Sequence, residues 1–206
     1  MHLEKNTNLK ITYNASPHEL VKLRKISYKN FYKDLDVKNL DWNLTDSQSL
    51  HVGIVFQNQL VSTIRISCFN SRSRFFNTCR LDLPTDDSLP VVVLSRGATI
   101  PEFHGYGFHT RLRLEAIKIC YHNQLFNIFG AMSADTSRIK NLLSIGYEIV
   151  DTKEAWNGSF LNSRKQAVLL QLQGEAKINN AIKLLSKKLD LIGFDQSYPI
   201  IPVIVD

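Results

Sequence analysis

The chain has 206 residues, 44% of them hydrophobic and 21% charged, and carries a formal net charge of +6 at pH 7. This balance excludes a disordered tail, and no apolar run approaches the ~20 residues of a membrane-spanning helix. The length suits one domain over 1–206, with a helix and tail packed on it from about residue 175, and it buries a core without disulfides. The polar opening Met1 to Lys10 reads as no signal peptide, which points to the cytoplasm.

The first strong signal is Ser16-Pro17-His18-Glu19, a capping box with proline at the first helical position. Leu20, Leu23 and Ile26 follow at helical spacing, so a helix of about four turns is predicted, fading near Asp34 to Asp36. Residues 37–50 read as an irregular loop. His51 to Phe56 and Leu60 to Cys68 read as a β-hairpin joined by Gln57-Asn58-Gln59. A polar loop over 70–90 leads into Val91 to Ile100, a doubly buried central strand. After the turn His104-Gly105-Tyr106-Gly107, the pattern predicts a helix over Thr110 to Asn123 and a strand over Leu125 to Met132. A shorter helix over Ser133 to Ser144 follows, ending at Gly146. Strands over Tyr147 to Thr152 and Gln166 to Gln173, and a last helix over Glu175 to Leu189, complete the order. The expected architecture is α/β, a mixed central sheet flanked by helices.

Cys68, Cys79 and Cys120 form no CxxC pair and read as small core residues, and no histidine pair has metal-ligand spacing, so no metal is expected. The basic surplus suits nucleic acid, an anionic membrane, an acidic protein partner or a plain solvated surface.

Leu94 to Leu112 carries the chemistry: a buried strand runs into a glycine-rich turn that opens a helix. Unpaired N–H groups and the helix dipole at such a start suit a phosphate, and Gly105 and Gly107 let the backbone approach it. Arg96 and Arg65 sit in apolar strands, where a guanidinium needs an anionic partner. Arg96 is read as a fork for a substrate carboxylate or as a partner of Asp46. Arg24 is a second candidate partner of Asp46.

The segment Pro101 to Leu112 resembles the acyl-CoA-binding motif of the GNAT superfamily, Arg/Gln-x-x-Gly-x-Gly/Ala. His104 stands at the Arg/Gln position, Gly107 at the first glycine and His109 at the second. A narrower resemblance covers the first two thirds of the chain. Long-chain N-acyl amino acid synthases and acyl-homoserine lactone synthases share an order matched here by Leu23-Arg24, Phe31, Trp42, Asp46, His51, Arg65 and Ser95-Arg96. The lactone synthases carry a glutamate three residues before the strand arginine; here it is Val93, which favours the amino acid synthases.

This resemblance implies a GNAT-like N-acyltransferase moving a long-chain fatty acyl group from acyl carrier protein, alternatively acyl-CoA, to the amine of an amino acid such as tyrosine. No cofactor is held permanently. It implies catalytic roles for Arg96, Ser95, Glu102 as the missing base, and Asp46. His104, Gly105, Tyr106, Gly107, Phe108 and His109 would hold the phosphopantetheine, and Arg24, Phe31, Trp42, Arg65 and Leu94 the substrates. Phenylalanines such as Phe75, Phe103 and Phe129 would line the acyl path. An acyl-homoserine lactone synthase, an acetyl-CoA-dependent N-acetyltransferase and a basic nucleic-acid-binding module remain as alternatives.

Overall fold

The computed structural model describes residues 9–30, 36–84, 88–156, 165–189 and 198–204. A short edge strand, β1 (Leu9–Thr12), precedes helix α1 (Pro17–Lys29). The predicted capping box starts α1: the Glu19 amide donates to Ser16 Oγ, and the Ser16 amide donates to Glu19 Oε2. The expected irregular loop over 37–50 instead holds a 3-10 turn (Val37–Leu40) and a short helix, α2 (Leu44–Ser47). Asn43 and Asp46 cap α2 reciprocally, a signal easily taken for loop chemistry because the helix is one turn long.

The hairpin is β2 (Leu50–Phe56) and β3 (Gln59–Phe69), closed by two residues, Gln57 and Asn58, both with positive φ. The predicted loop over 70–90 contains helix α3 (Arg72–Cys79), whose apolar face is only Phe75 and Cys79, too little periodicity to stand out in sequence. Then follow β4 (Val91–Thr99), a 3-10 turn (Pro101–Phe103), α4 (Phe108–His122), β5 (Asn127–Ser133) and α5 (Arg138–Leu143). β6 (Glu148–Trp156), β7 (Lys165–Gln173), α6 (Glu175–Lys188) and the two-residue β8 (Val203–Ile204) end the chain.

The strands form one mixed sheet in the order β1-β2-β3-β4-β5-β7-β6, with β8 added parallel to β3 beyond the end of β2. Alternate residues of the central strand serve two cores, as period 2 requires. Val92 and Leu94 join α4, α6 and Ile128 of β5, whereas Val91 and Val93 pack with Phe75 and Cys79 of α3 and with Phe129. All three cysteines are free and buried, and burial raises each thiol, Cys68 to about 11 and Cys79 to about 12.

Two irregularities of β4 create the site. Pairing with β3 runs from Arg65↔Ser95 to Thr63↔Ala98, so β4 carries one extra residue and bulges at Arg96, whose φ is +53°. On its other side β4 pairs with parallel β5 at Val92↔Ile128 and Val93↔Phe129, and beyond these the two strands separate.

Candidate functional site

The bulge turns Arg96 toward a buried charge cluster. Arg24 on α1 and Asp46 on α2 are 0% exposed, Arg65 on β3 is 3% exposed and Arg96 8%. Arg65 Nη1 donates to Asp46 Oδ1 at 2.8 Å, and its Nε donates to Ser95 Oγ at 3.1 Å. Arg24 Nη1 lies 3.1 Å from the same Oδ1, close enough for an ion pair though not aligned as a hydrogen bond. Arg96 Nη2 donates to the Asn39 carbonyl at 2.9 Å, while its buried Nη1 has no partner among the described residues.

Burial pushes the Asp46 carboxyl up, but Arg65, Arg24 and Arg96 outweigh it and hold the group below its ordinary range, so it is ionised. Burial lowers Arg65 to about 10, and it lowers Arg96 as well. Three guanidiniums thus share one internal carboxylate. Leaving a cation surplus in a buried site is costly, and an anionic ligand relieves it.

His51 on β2 completes the cluster. Its Nδ1 accepts from Arg24 Nη2 at 3.2 Å, since a guanidinium has no lone pair to offer. Nε2 therefore carries the proton and donates to the Asp46 carbonyl at 2.9 Å. Burial, then Arg24 and Arg65, lower its pKa to about 4, so the ring is neutral and both nitrogens are committed. Trp42 covers this ring, centroid to centroid at 5.0 Å.

Where β4 and β5 part, a cleft of about 110 Å³ opens. Leu94, Ser95, Arg96 and Gly97 form one wall, Ala131, Met132 and Ser133 the other, and Tyr28, His109, Arg113 and Arg138 contribute from helices. His109, in the first turn of α4, crosses toward β4. A Cβ on Gly97 would stand 2.5 Å from its Nε2, so only glycine at 97 admits the imidazole in this pose. Burial first, then Arg113 and Arg138, hold this histidine well below its usual range.

A wider cavity of about 600 Å³ lies beyond His109, at the start of α4. Gly105 and Gly107 take φ of +86° and +76°, and Gly107 begins the helix without a side-chain cap, so the first-turn amides face this space. Arg138 and Lys188 line it together with Ser137 and Asn141, and His104 Nε2 donates to the Thr99 carbonyl at 2.9 Å. No aspartate or glutamate lines either cavity among the described residues.

Of the residues singled out in the sequence, Arg65, Leu94, Ser95 and Arg96 line the cleft, and His104, Gly105, Gly107, Phe108 and His109 line the wider cavity. Arg24 and Asp46 lie behind the cleft, in the cluster that holds Arg65. Trp42 packs on His51 and lines neither cavity. Glu102 is exposed in the 3-10 turn, outside both, and so is not placed to act as a base. Tyr106 packs edge-on against Phe103 and leans on Phe108, outside the cavity wall. Phe31 lies outside the described residues. Among the described residues no phenylalanine lines the cleft: Phe75 and Phe129 fill the α3 core. Sequence reasoning missed Tyr28, Arg113, Arg138 and Lys188. Arg113 was signalled only by its place one turn after His109, and Lys188 by its basic run.

Solved structures, among them an acetyltransferase of the GNAT family from Streptococcus pneumoniae, share this architecture. The ribosomal-protein-S18-alanine N-acetyltransferase from Escherichia coli matches with a TM-score of 0.55 at 11% identity, covering 80% of this chain and 93% of that one. Arabidopsis thaliana Naa50, solved in complex with the bisubstrate analogue CoA-Ac-MVNAL, gives 0.58 at 12% identity over 82% of this chain and 100% of its own. The loading GNATL domain of CurA from Lyngbya majuscula gives 0.59 at 11% identity over 80% and 97%. No protein-family model and no curated protein matches the chain. The chain has the GNAT fold, α/β with a mixed central sheet flanked by helices.

Proposed function

We propose that this chain is an N-acyltransferase that moves an acyl group from a phosphopantetheine thioester to the amine of an amino acid. The observation that carries the acceptor is the buried cation surplus ending in Arg96, which lines the cleft and whose buried Nη1 has no hydrogen-bond partner among the described residues. A carboxylate there gains a charge-assisted hydrogen bond and neutralises a buried guanidinium. The donor's phosphate fits the wider cavity, where first-turn amides, Arg138 and Lys188 converge and no carboxylate among the described residues lines the space.

The arm then runs past His109 into the cleft, bringing the thioester beside Leu94 to Arg96. The bulge takes β4 out of regular pairing there, and backbone N–H groups turned into the cleft would polarise the thioester carbonyl and stabilise its oxyanion. Holding both reactants between two strands supplies much of the rate, and no covalent enzyme intermediate is needed.

The donor is read as a fatty acyl-acyl carrier protein, supported by the resemblance to N-acyl amino acid synthases and by the basic surface, which suits an acidic carrier. Acetyl-CoA is the second reading, favoured by a solved neighbour that holds a CoA-linked analogue. Mass spectrometry of organic extracts from bacteria expressing the chain, beside an Arg96→Ala control, tests the proposal. Long-chain N-acyl amino acids made only by the intact protein support it. Acyl-homoserine lactones, or acetylated amines alone, would replace it.

A further inference from the structure

Acyl transfer to an amino acid needs a destination for a proton. The acceptor arrives as an ammonium, which has no lone pair with which to attack a thioester. Val93, three residues before Arg96, is buried in the α3 core and has no basic group. Glu102 lies outside both cavities, and His51 has committed both ring nitrogens. Arg65, Arg96, Arg113 and Arg138 already carry their protons. The Cys79 thiol is pushed up to about 12 by burial, so it holds its proton too. Hydroxyls are not bases at neutral pH. Among the described residues that line the cleft, this leaves one side chain able to take up a proton.

We propose that the His109 imidazole, through Nε2 on the β4 wall, accepts the proton from the acceptor's ammonium group. The inference rests on the acyl-transfer reading above. An α-amino acid carries its carboxylate and its ammonium on one carbon, so anchor and base must be close together. Arg96 and Gly97 are consecutive, and His109 Nε2 lies over Gly97. The GNAT pattern has a small residue where this chain has His109, and the strand opposite supplies the missing space as a glycine.

The steps balance. Nε2 takes one proton from the ammonium, leaving a neutral amine. The nitrogen attacks the thioester carbonyl carbon, and collapse of the adduct breaks the carbon–sulfur bond. The thiolate takes the second proton from that nitrogen and leaves as a thiol. The imidazolium then returns its proton to solvent through the wider cavity, so the products are an amide, a thiol and one proton.

The surroundings make this base conditional on the reactants. In the free protein, burial and then Arg113 and Arg138 disfavour the imidazolium. Among the described residues, the arginine, lysine and carboxylate side chains that line these cavities with the ring are all cations: Arg113 on its own helix, Arg138 on α5, Arg65 on β3, Arg96 on β4 and Lys188 at the end of α6. A donor phosphate beside Arg138 and Lys188, and a carboxylate on Arg96, would counter these charges and raise the ring's basicity. The base becomes competent when both substrates are bound.

The experiment compares wild type, His109→Gln and His109→Ala with an amino acid acceptor and with aminooxyacetate, whose nitrogen is unprotonated at neutral pH. With the amino acid, kcat falls about 10²- to 10⁴-fold in both variants, the range that general-base catalysis supplies. Donor KM stays within a few-fold, aminooxyacetate is acylated at close to the wild-type rate, and added imidazole restores His109→Ala. The acid limb of kcat is lost in His109→Gln. An unchanged kcat in His109→Gln overturns the proposal, and so does an equal loss with both acceptors, which would make His109 a positioning or folding residue. A wild-type protein that acylates neither acceptor overturns the acyl-transfer reading itself.

Discussion

The buried cluster around Asp46 and the cavity at the start of α4 are both cationic, but they are built differently. In the cluster, Arg24 and Arg65 converge on one carboxylate inside the fold. Arg24 and Arg96 both keep buried donors without a hydrogen-bond partner among the described residues, and of these two only Arg96 lines the cleft. At the α4 cavity, Arg138 and Lys188 stand on two other elements, and no carboxylate lines the space among the described residues. The first region is therefore mostly structure with one functional edge. The second is a set of charges whose counterpart comes from outside.

Removing the internal carboxylate tests this contrast most severely. Asp46→Asn leaves three guanidiniums around a neutral amide, and breaking a buried ion pair from one side costs about 3–5 kcal/mol. Urea unfolding at neutral pH should show that loss. A cost near zero would mean that water or another anion already neutralises the cluster.

The next effect is a pH slope. His51 titrates near 6.5 when unfolded and at about 4 in the folded protein, so the unfolded chain binds its proton first as pH falls. The stability this group contributes is fully present above pH 6.5 and is lost as pH drops toward 4, by about 3 kcal/mol in total. His109 is displaced in the same direction and adds to the slope. Urea midpoints measured between pH 7 and pH 4 should decline, and His51→Gln, whose amide retains a donor and an acceptor, should decline less.

How far the sequence reveals these regions follows from the same difference. An arginine in an apolar strand announces a buried anion by its cost alone, so Arg65 and Arg96 stand out, and Asp46 is a natural partner in the preceding loop. The α4 turn is equally visible, because glycines before an apolar helix have few other uses. His51 is not legible as a positioning group, since its tautomer depends on Arg24, 27 residues earlier. Nor is the reach of His109, which depends on the absence of a side chain at Gly97 on another element. Helix α3 hides because two apolar residues define its buried face.

Arg96→Gly separates function from stability within the cluster. Arginine at φ +53° is strained, and glycine relieves that strain while removing a buried cation whose Nη1 has no hydrogen-bond partner among the described residues. Unfolding should therefore become harder by ~1 kcal/mol. Acceptor KM should rise about 10- to 100-fold, the worth of a hydrogen bond to a charged group. Loss of stability together with activity would mean that Arg96 belongs to the structural part of the cluster.

The smallest effects belong to the α4 cavity, and their size is diagnostic. Arg138 is exposed, so its attraction for a donor phosphate is screened by salt far more than that of a buried pair. Arg138→Ala should raise donor KM about 3- to 10-fold at low salt, the range of a partly screened charge contact, and leave the urea midpoint unchanged. Lys188→Ala should do less, because an ammonium lacks the guanidinium's paired donors. In wild type, donor KM should climb with ionic strength while acceptor KM holds steady, because Arg96 is shielded from bulk ions. Equal salt dependence of the two constants would erase the distinction between a buried cluster and an open cavity, and would place the acceptor's carboxylate among the exposed cations instead.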